Sequence, residues 1–341
     1  MDLIYIRNTN GVYDNGILHN YEVDFEVSTD TENGNNDFEL KMTLPDDPAD
    51  LLWVENEVSS YIFYEGTEYG GEITGSEIDT DDRTITYKGY TWRGTMLGYI
   101  IEPPAGQDYK TVTGNFATII NALPLNPLMT VQATTYGITS SYSFERYVNM
   151  FKGVADLLAQ YTADSLVLAI SFEQTQSQYT GVASVNIEPV RDLSDLVEVS
   201  QDYGDHVKLK ITKDFTTPHR LICLGSGELH ERQVVNLYAD DDWNVSTTPI
   251  AGAYPTEVYD YNGSEDLEAD GRKKFAEYIA NHQQIDVDIT DLDVRLGDII
   301  AGKDNLTGET VQAEISSIVY KCADFGTYQN ETYEYKTKVR V

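Results

Sequence analysis

The chain has 341 residues and a formal net charge of −34, from 57 acidic and 23 basic residues. This length suffices for two or three domains with buried cores, and the acidic balance argues against binding nucleic acid through its phosphates or binding an anionic membrane surface. Tyrosine dominates the aromatic residues, with 25 Tyr beside 10 Phe and 3 Trp, which suits β-strands and protein contact surfaces.

Residues 1–95 are predicted to form a small antiparallel barrel or sandwich. The clearest strand covers residues 21–27, where Val23, Phe25 and Val27 alternate with Asp24 and Glu26. Other short strand-like runs, separated by turn residues, occupy residues 3–6, 38–42, 61–64, 72–75 and 84–87.

Residues 96–199 are predicted to form an α+β domain with two helices. Pro103, Pro104 and Gly106 mark the linker that opens it. Apolar residues at helical spacing predict one short helix ending at Pro124 and a second helix over 148–161. Strands are expected at residues 166–172 and 182–189.

The last third of the chain predicts a second barrel in two parts, residues 200–225 plus 285–341. Both parts alternate as strands do, and neither has enough strands to close its own edges. Residues 226–284 are an inserted subdomain with a helix over 264–282, for which Ser264 is the predicted N-cap. Its predicted buried stripe is Leu267, Gly271, Phe275, Tyr278 and Ile279. The fold class is therefore α+β, predominantly antiparallel β, with two small barrels and inserted α+β subdomains.

The cysteines and the N-terminal sequence indicate the cellular compartment in which the protein is made. Cys223 and Cys322 lie in apolar strand-like runs, which favours buried free thiols, although both fall in the second barrel and a bridge stays open. No signal peptide follows Met1, and no run approaches the roughly 18 apolar residues of a transmembrane helix. Synthesis in the cytoplasm is expected.

The sequence lacks the spacings that carry familiar chemistry. It contains no HExxH, CxxC pair, GxSxG, Walker A or GxGxxG motif, so we predict no catalytic residue, no cofactor-binding residue and no enzyme activity. Replacing Asp241, Asp286 or Glu228 with alanine is expected to change folding or assembly, and no catalytic activity is expected to depend on these residues.

Two acidic clusters offer oxygen ligands for Ca²⁺ without the order of an EF-hand loop. They are residues 240–242 and the set Asp286, Asp288, Asp291 and Asp293. A solvated strand face or loop explains them more simply, and we predict no metal site.

Three segments together resemble the tail-hub proteins of siphophages. They are residues 97–115 (LGYIIEPPAGQDYKTVTGN), residues 221–242 (LICLGSGELHERQVVNLYADDD) and residues 295–321 (RLGDIIAGKDNLTGETVQAEISSIVYK). The resemblance lies in the order of segments along most of the chain, and no single motif in it is specific.

That resemblance implies a structural protein of the bacteriophage virion, similar in plan to the hub of the T-even baseplate. Two barrels in each subunit, related to the tail-tube fold, would give a homotrimeric ring pseudo-sixfold symmetry. The ring would join the sixfold tail tube and distal tail protein to a threefold tip that carries a fibre, a spike or the tape measure protein. DNA would pass through its channel without specific binding. Longer relatives continue into a fibre or hydrolase, whereas this sequence stops at Val341, so a truncated chain or a separate spike protein is expected.

Two other functions stay open. A carbohydrate-binding or adhesin module at the tail tip is supported by the tyrosine content and by Trp53, Trp92 and Trp243. A cell-wall hydrolase is less favoured, since 57 acidic residues allow many carboxylate pairs and single out none.

The charge suggests a role within the ring. A basic channel wall would bind the phosphates of passing DNA, whereas an acidic wall repels them over roughly 8–10 Å at physiological salt. Asp24 and Glu26, and likewise Asp286 and Asp288, lie opposite the apolar residues of their strands, so one face of each barrel could line the channel. Plain solubility predicts instead that the acids spread evenly over the exterior.

Overall fold

The computed structural model describes residues 2–31, 34–131, 139–160, 166–175, 180–194, 198–200, 207–261, 266–289, 294–303, 310–324 and 336–340. The chain divides into a large unit, Met1–Leu209 with Val287–Val341, and a small unit, Lys210–Asp286. None of the helices within the described ranges has the length and apolar character that crossing a membrane requires.

Seven strands open the large unit and agree with the predicted β-rich start of the chain. They are β1 (Leu3–Thr9), β2 (Val12–Ile17), β3 (Tyr21–Ser28), β4 (Asp37–Thr43), β5 (Val58–Tyr64), β6 (Gly70–Asp79) and β7 (Thr84–Thr91). The alternation in β3 sets the burial as predicted, because Val23, Phe25 and Val27 are buried while Glu22 is exposed.

Short helices and strands follow between residues 92 and 200. They are α1 (Trp92–Thr95), β8 (Ile100–Ile101), β9 (Lys110–Asn115), α2 (Phe116–Asn121), β10 (Met129–Val131), β11 (Thr139–Phe144), β12 (Val148–Asn149), α3 (Met150–Leu158), β13 (Leu166–Thr175), β14 (Thr180–Pro189) and β15 (Glu198–Ser200). The two predicted helices are α2 and α3. Each begins at an asparagine whose side-chain oxygen accepts a backbone N–H bond of 2.8 Å, Asn115 from Thr118 and Asn149 from Lys152.

The remaining elements complete both units. They are β16 (Val207–Lys213), β17 (Arg220–Leu224), β18 (Val234–Ala239), β19 (Val245–Ser246), β20 (Thr256–Asp260), α4 (Leu267–His282), β21 (Gln283–Ile289), β22 (Ile299–Lys303), β23 (Thr310–Glu314), β24 (Ser317–Asp324) and β25 (Lys336–Arg340).

One mostly antiparallel sheet dominates the architecture and curls as a half-barrel. Its eleven strands run in the order β16-β21-β25-β24-β3-β4-β7-β6-β5-β1-β2. Near its middle, β24 pairs antiparallel with β3 and places Tyr320 opposite Phe25. This pairing joins segments almost 300 residues apart and covers an edge of β3 that would otherwise be open.

Smaller sheets hold the rest of the large unit. Their strand orders are β10-β14-β13, β11-β9, β12-β8 and β15-β22-β23. Side chains of α2, α3, β13 and β14 form an apolar core. Trp92 of α1 and Phe63 of strand β5 in the main sheet complete it. Phe172 lies at its centre, stacked on Trp92 with ring centroids 4.4 Å apart.

The small unit is a four-stranded sheet packed on one helix. The sheet order is β19-β18-β17-β20, and α4 packs Leu267 and Phe275 against Leu221, Cys223 and Leu237. These contacts confirm the predicted buried stripe of the helix.

Helix α4 begins three residues later than predicted and ends at the predicted residue. The Asp266 side chain accepts the N–H of Ala269 at 3.1 Å, as an N-cap does. Ser264 lies outside the described residues.

Two pairings differ from the predicted division of the chain. β17, placed in the second barrel from the sequence, pairs instead with β18 and β20, because a nearby hairpin partner is available. β24, also placed there, joins the first strands through β3. The division into two tail-tube-like barrels with boundaries at 95, 199, 225 and 284 stays a prediction.

Both cysteines are buried free thiols, as predicted. Cys223 lies in the core of the small unit and Cys322 in that of the large unit.

Candidate functional site

The solvent side of strands β24, β3, β4, β7 and β6 carries a band of charged residues, which we call the acidic face. The alternation of each strand turns its charged residues away from the core, and the sheet register aligns them in rows. The central row runs through Lys321, Asp24, Glu39 and Lys88. Including its neighbours, the face consists of Glu22, Asp24, Glu26, Asp37, Glu39 and Glu77 with Lys41, Lys88 and Lys321.

Ion pairs across the strands hold two of these lysines. Lys88 Nζ lies 3.5 Å from Glu39 Oε1 and 3.0 Å from Glu77 Oε2, and Lys321 pairs with Asp24. The hydrogen bond that Lys88 donates to Glu77, followed by the charges of Glu77 and Glu39, raises the pKa of Lys88. Six carboxylates therefore share a face with three lysines, and the excess charge is negative.

Repulsion between carboxylates is concentrated at the start of β4. Burial, and then the charges of Glu26 and Glu39, raise the pKa of Asp37 above its ordinary value. Because each of these causes disfavours the ionised form, Asp37 at neutral pH carries an unfavourable charge.

Sequence reasoning found only part of this face. Asp24 and Glu26 lie on it as predicted, and the alternation in residues 38–42 could have added Glu39. Lys321 carried no such signal, because it reaches the face through the distant pairing of β24 with β3. Asp286 and Asp288 lie in β21, whose side chains are outside the described residues, as are Asp291 and Asp293.

The Asp240–Asp242 cluster forms a turn. Asp240 Oδ1 accepts the backbone N–H groups of Asp242 at 3.0 Å and Asn244 at 2.8 Å. The bonds from Asn244, then that from Asp242, lower the pKa of Asp240. Across the part of the chain that the structure describes, no three His, Cys, Asp or Glu side chains converge as metal ligands. Asp241 and Glu228 are not drawn into any such group.

The tryptophans offer little platform for a sugar. Trp92 is fully buried, and Trp53 is half-buried against the core of the main sheet. Trp243, also half-buried, packs against the rings of His219 and His282, with centroids 4.5 and 4.3 Å away. A sugar ring needs an open aromatic face, which Trp92 does not have.

Comparison with known proteins supports the tail-hub resemblance at the level of fold. No protein-family model matches the sequence, and no curated protein matches it. Among solved structures, the 43 kDa tail protein of prophage MuSo2 from Shewanella oneidensis is similar, with 13% identity, a TM-score of 0.61 and coverage of 99% of this chain and 98% of that chain.

Two further tail proteins align over the full length of this chain. The tail protein from Neisseria meningitidis MC58 shares 10% identity, with a TM-score of 0.59 and 96% of that chain covered. Prophage tail protein gp18 from Listeria monocytogenes EGD-e shares 10% identity, with a TM-score of 0.54 and 94% of that chain covered. The chain therefore has the fold of phage tail proteins, as the tail-hub resemblance predicted.

Proposed function

We propose that this protein is the structural hub at the tip of a bacteriophage tail or tail-like particle. The observation that carries the proposal is the match of essentially the whole chain to three tail proteins of nearly equal length, two of them from prophages. Because the match covers both units, it favours a function performed by the whole chain over a function carried by a single domain. The role is structural and requires no catalytic centre, cofactor or metal.

The proposed assembly is a homotrimeric ring that adapts the sixfold tail tube and distal tail protein to a threefold tip. Its other partners would be a tip fibre, a spike or the tape measure protein, and its location the virion tail tip. With a chain mass of 38.3 kDa, a trimer has a mass of about 115 kDa. Mass photometry of the purified protein tests this directly. A single 38 kDa species at micromolar concentration would count against the ring.

The acidic face is proposed to line the channel through which DNA passes. DNA carries one negative charge per about 1.7 Å, and binding it requires cations that can replace its counterions. On this face Lys88 and Lys321 are already held by carboxylates. The face therefore repels phosphates at short range, and the repulsion decays within roughly 8–10 Å.

Charge reversal distinguishes a channel wall from a merely soluble surface. Lysine at Asp24, Glu26 and Glu39 should make the assembled ring retain duplex DNA at low salt and release it as salt rises. The control places the same charge change at Glu55, Glu57 and Asp81, which are exposed in turns of the large unit. Equal DNA retention by both variants, or a density map with this face outside the ring, would refute the channel assignment.

A further inference from the structure

A cleft of about 390 Å³ lies in the large unit above strands β13 and β14. Its floor consists of short, half-buried side chains, Ala169, Ser171, Ser184 and Asn186. They share one face of the sheet because Ser171 pairs with Ser184 and Ala169 with Asn186. The opposite face of the same strands is apolar core, so the cleft is built on a rigid support.

One side of the cleft is an open sheet edge. The three-stranded sheet has the order β10-β14-β13, so no strand among the described residues pairs with the second edge of β13. The direction of its backbone groups follows from Phe172, whose N–H donates to Thr67 O at 3.0 Å and whose carbonyl accepts from Gly66 N at 2.8 Å. Backbone groups alternate between the two edges of an antiparallel strand, so those of Ile170 and Leu168 point to the same open edge.

Within the described part of the chain, the backbone of Ile170 has no hydrogen-bond partner at this edge. The Leu168 carbonyl accepts a bond of 2.9 Å from Arg93 Nη2, and Thr67 and Gly66 bond to Phe172, as above. Between these two points, no group among the described residues bonds to the outward N–H or C=O of Ile170. The side chains of Leu168 and Ile170 are buried in the core, yet both residues line the cleft, so their backbone faces it. Gly66 and Thr67, which bond to Phe172 at the edge of β13, line the cleft as well, so the cleft extends to that edge.

Every ionic group around the cleft has an internal partner. Glu68 Oε1 lies 2.6 Å from Arg93 Nε, Asp298 Oδ1 accepts from Arg191 Nε at 2.8 Å, and Glu188 pairs with Arg295. Because the charged groups of the lining already neutralise one another, a charged occupant would lose water without gaining an opposite charge, whereas an uncharged one would not.

We propose that the cleft receives one extended, uncharged peptide segment of a partner protein, which adds as a strand to the open edge of β13. Strand addition satisfies the two free backbone groups of Ile170 through main-chain hydrogen bonds, and pockets for alternate side chains give specificity. The small residues of the floor leave room for those side chains. The volume lies at the lower end of the range for binding sites, which suits a segment of a few residues. This inference rests on the edge of β13 and does not depend on the proposed function.

The test uses a library of random nine-residue peptides displayed on phage and selected against the purified full chain. We expect enriched peptides to be free of charge at their centre and to bind in solution as synthetic peptides. Methylating the central backbone nitrogens of such a peptide should weaken binding at least tenfold, because the methyl group removes a donor and blocks approach to the edge.

Two variants locate the binding site. Ser184→Trp fills the cleft from its floor and should abolish peptide binding, and Ala169→Leu serves the same purpose if the first variant fails to fold. Ser76→Trp, at an exposed position of β6 outside the cleft, should bind as the unmodified chain does. In the NMR spectrum of a sample labelled with ¹⁵N-isoleucine, the amide signal of Ile170 is identified as the one that disappears in Ile170→Val. Addition of peptide should shift this signal and slow hydrogen exchange of the Ile170 amide at least tenfold.

Four results would overturn the inference. They are selection of no peptide, selection of charged peptides, binding that survives both Ser184→Trp and backbone methylation, and an Ile170 amide already protected before any peptide is added. The last result would show that the chain or a second copy covers the edge itself.

Discussion

The ion pair between Arg93 and Glu68 gives the sharpest prediction for the stability of the large unit. Arg93 is 1% exposed, although its guanidinium carries a full charge. It donates to Glu68 Oε1 at 2.6 Å and to the Leu168 carbonyl at 2.9 Å, and lies 5.7 Å from the ring centre of Phe151. One side chain thus joins the β5–β6 turn, strand β13 and helix α3.

Arg93→Ala should lower the free energy of unfolding of the large unit by about 3–4 kcal/mol. Removing one partner of a buried ion pair costs about 3–5 kcal/mol because the other charge stays behind, and Glu68, at 17% exposure, regains some water. The folding equilibrium constant should therefore fall roughly a hundred- to a thousandfold. This loss is a large share of the about 5–15 kcal/mol that typically stabilises a domain.

Urea unfolding followed by tryptophan fluorescence measures this loss. Replacing Trp53 and Trp243 with Phe leaves the buried Trp92 as the only emitter, so the signal reports the large unit. The double variant Arg93→Ala, Glu68→Ala should recover about 1–3 kcal/mol relative to the sum of the two single losses. A cost below about 1 kcal/mol for Arg93→Ala would show that the pair is solvated, and the account of a buried charge would be wrong.

Two further changes test the main sheet. Asp37→Asn should stabilise the protein at pH 7 by about 0.2–1 kcal/mol, because it removes a carboxylate whose ionised form is disfavoured by partial burial and by the charges of Glu26 and Glu39. Since the pKa of Asp37 is raised on folding, its unfavourable effect develops as pH rises above the unfolded value near 3.8; the gain should vanish in urea melts at pH 3, and a gain that persists there would have another cause. Gly89→Ala should cost about 1–3 kcal/mol, since a Cβ there would lie 2.0 Å from a backbone oxygen of the neighbouring strand. Thermal melting measures this loss of stability. The matched control is Gly75→Ala, because a Cβ at Gly75 meets nothing within 4 Å.

Local periodicity accounts for what the sequence predicted correctly. Strand β3 was predictable because Val23, Phe25 and Val27 alternate with charged residues, and helix α4 because its apolar residues recur on one stripe. Both signals lie within some twenty residues and depend on burial of one face alone. The solvent-facing, half-buried position of Asp24 and Glu26 follows from the same alternation.

Pairing between distant segments accounts for what the sequence did not predict. Nothing in residues 317–324 identifies β3 as their partner, because many strands of similar pattern compete for an open edge. Arg93 shows the same limit at the level of one residue. An arginine in the segment Thr91–Thr95 would ordinarily be assigned to the surface, and only the approach of Glu68 and Leu168 makes its burial possible.

The arrangement of charge on the acidic face matters more than its amount. The whole chain carries −34, yet this face holds six carboxylates beside three lysines and contributes little of that total. A bare acidic wall would repel itself as well as DNA, as the raised pKa of Asp37 indicates. Lysines placed between carboxylates relieve part of that repulsion, and each ion pair keeps its ammonium group from a passing phosphate. At Lys88 and Lys321 a phosphate could bind only by displacing a carboxylate that already holds the lysine, so the release of DNA counterions there would bring little net gain. In the proposed channel, a wall of this kind would combine a stable sheet with weak affinity for DNA.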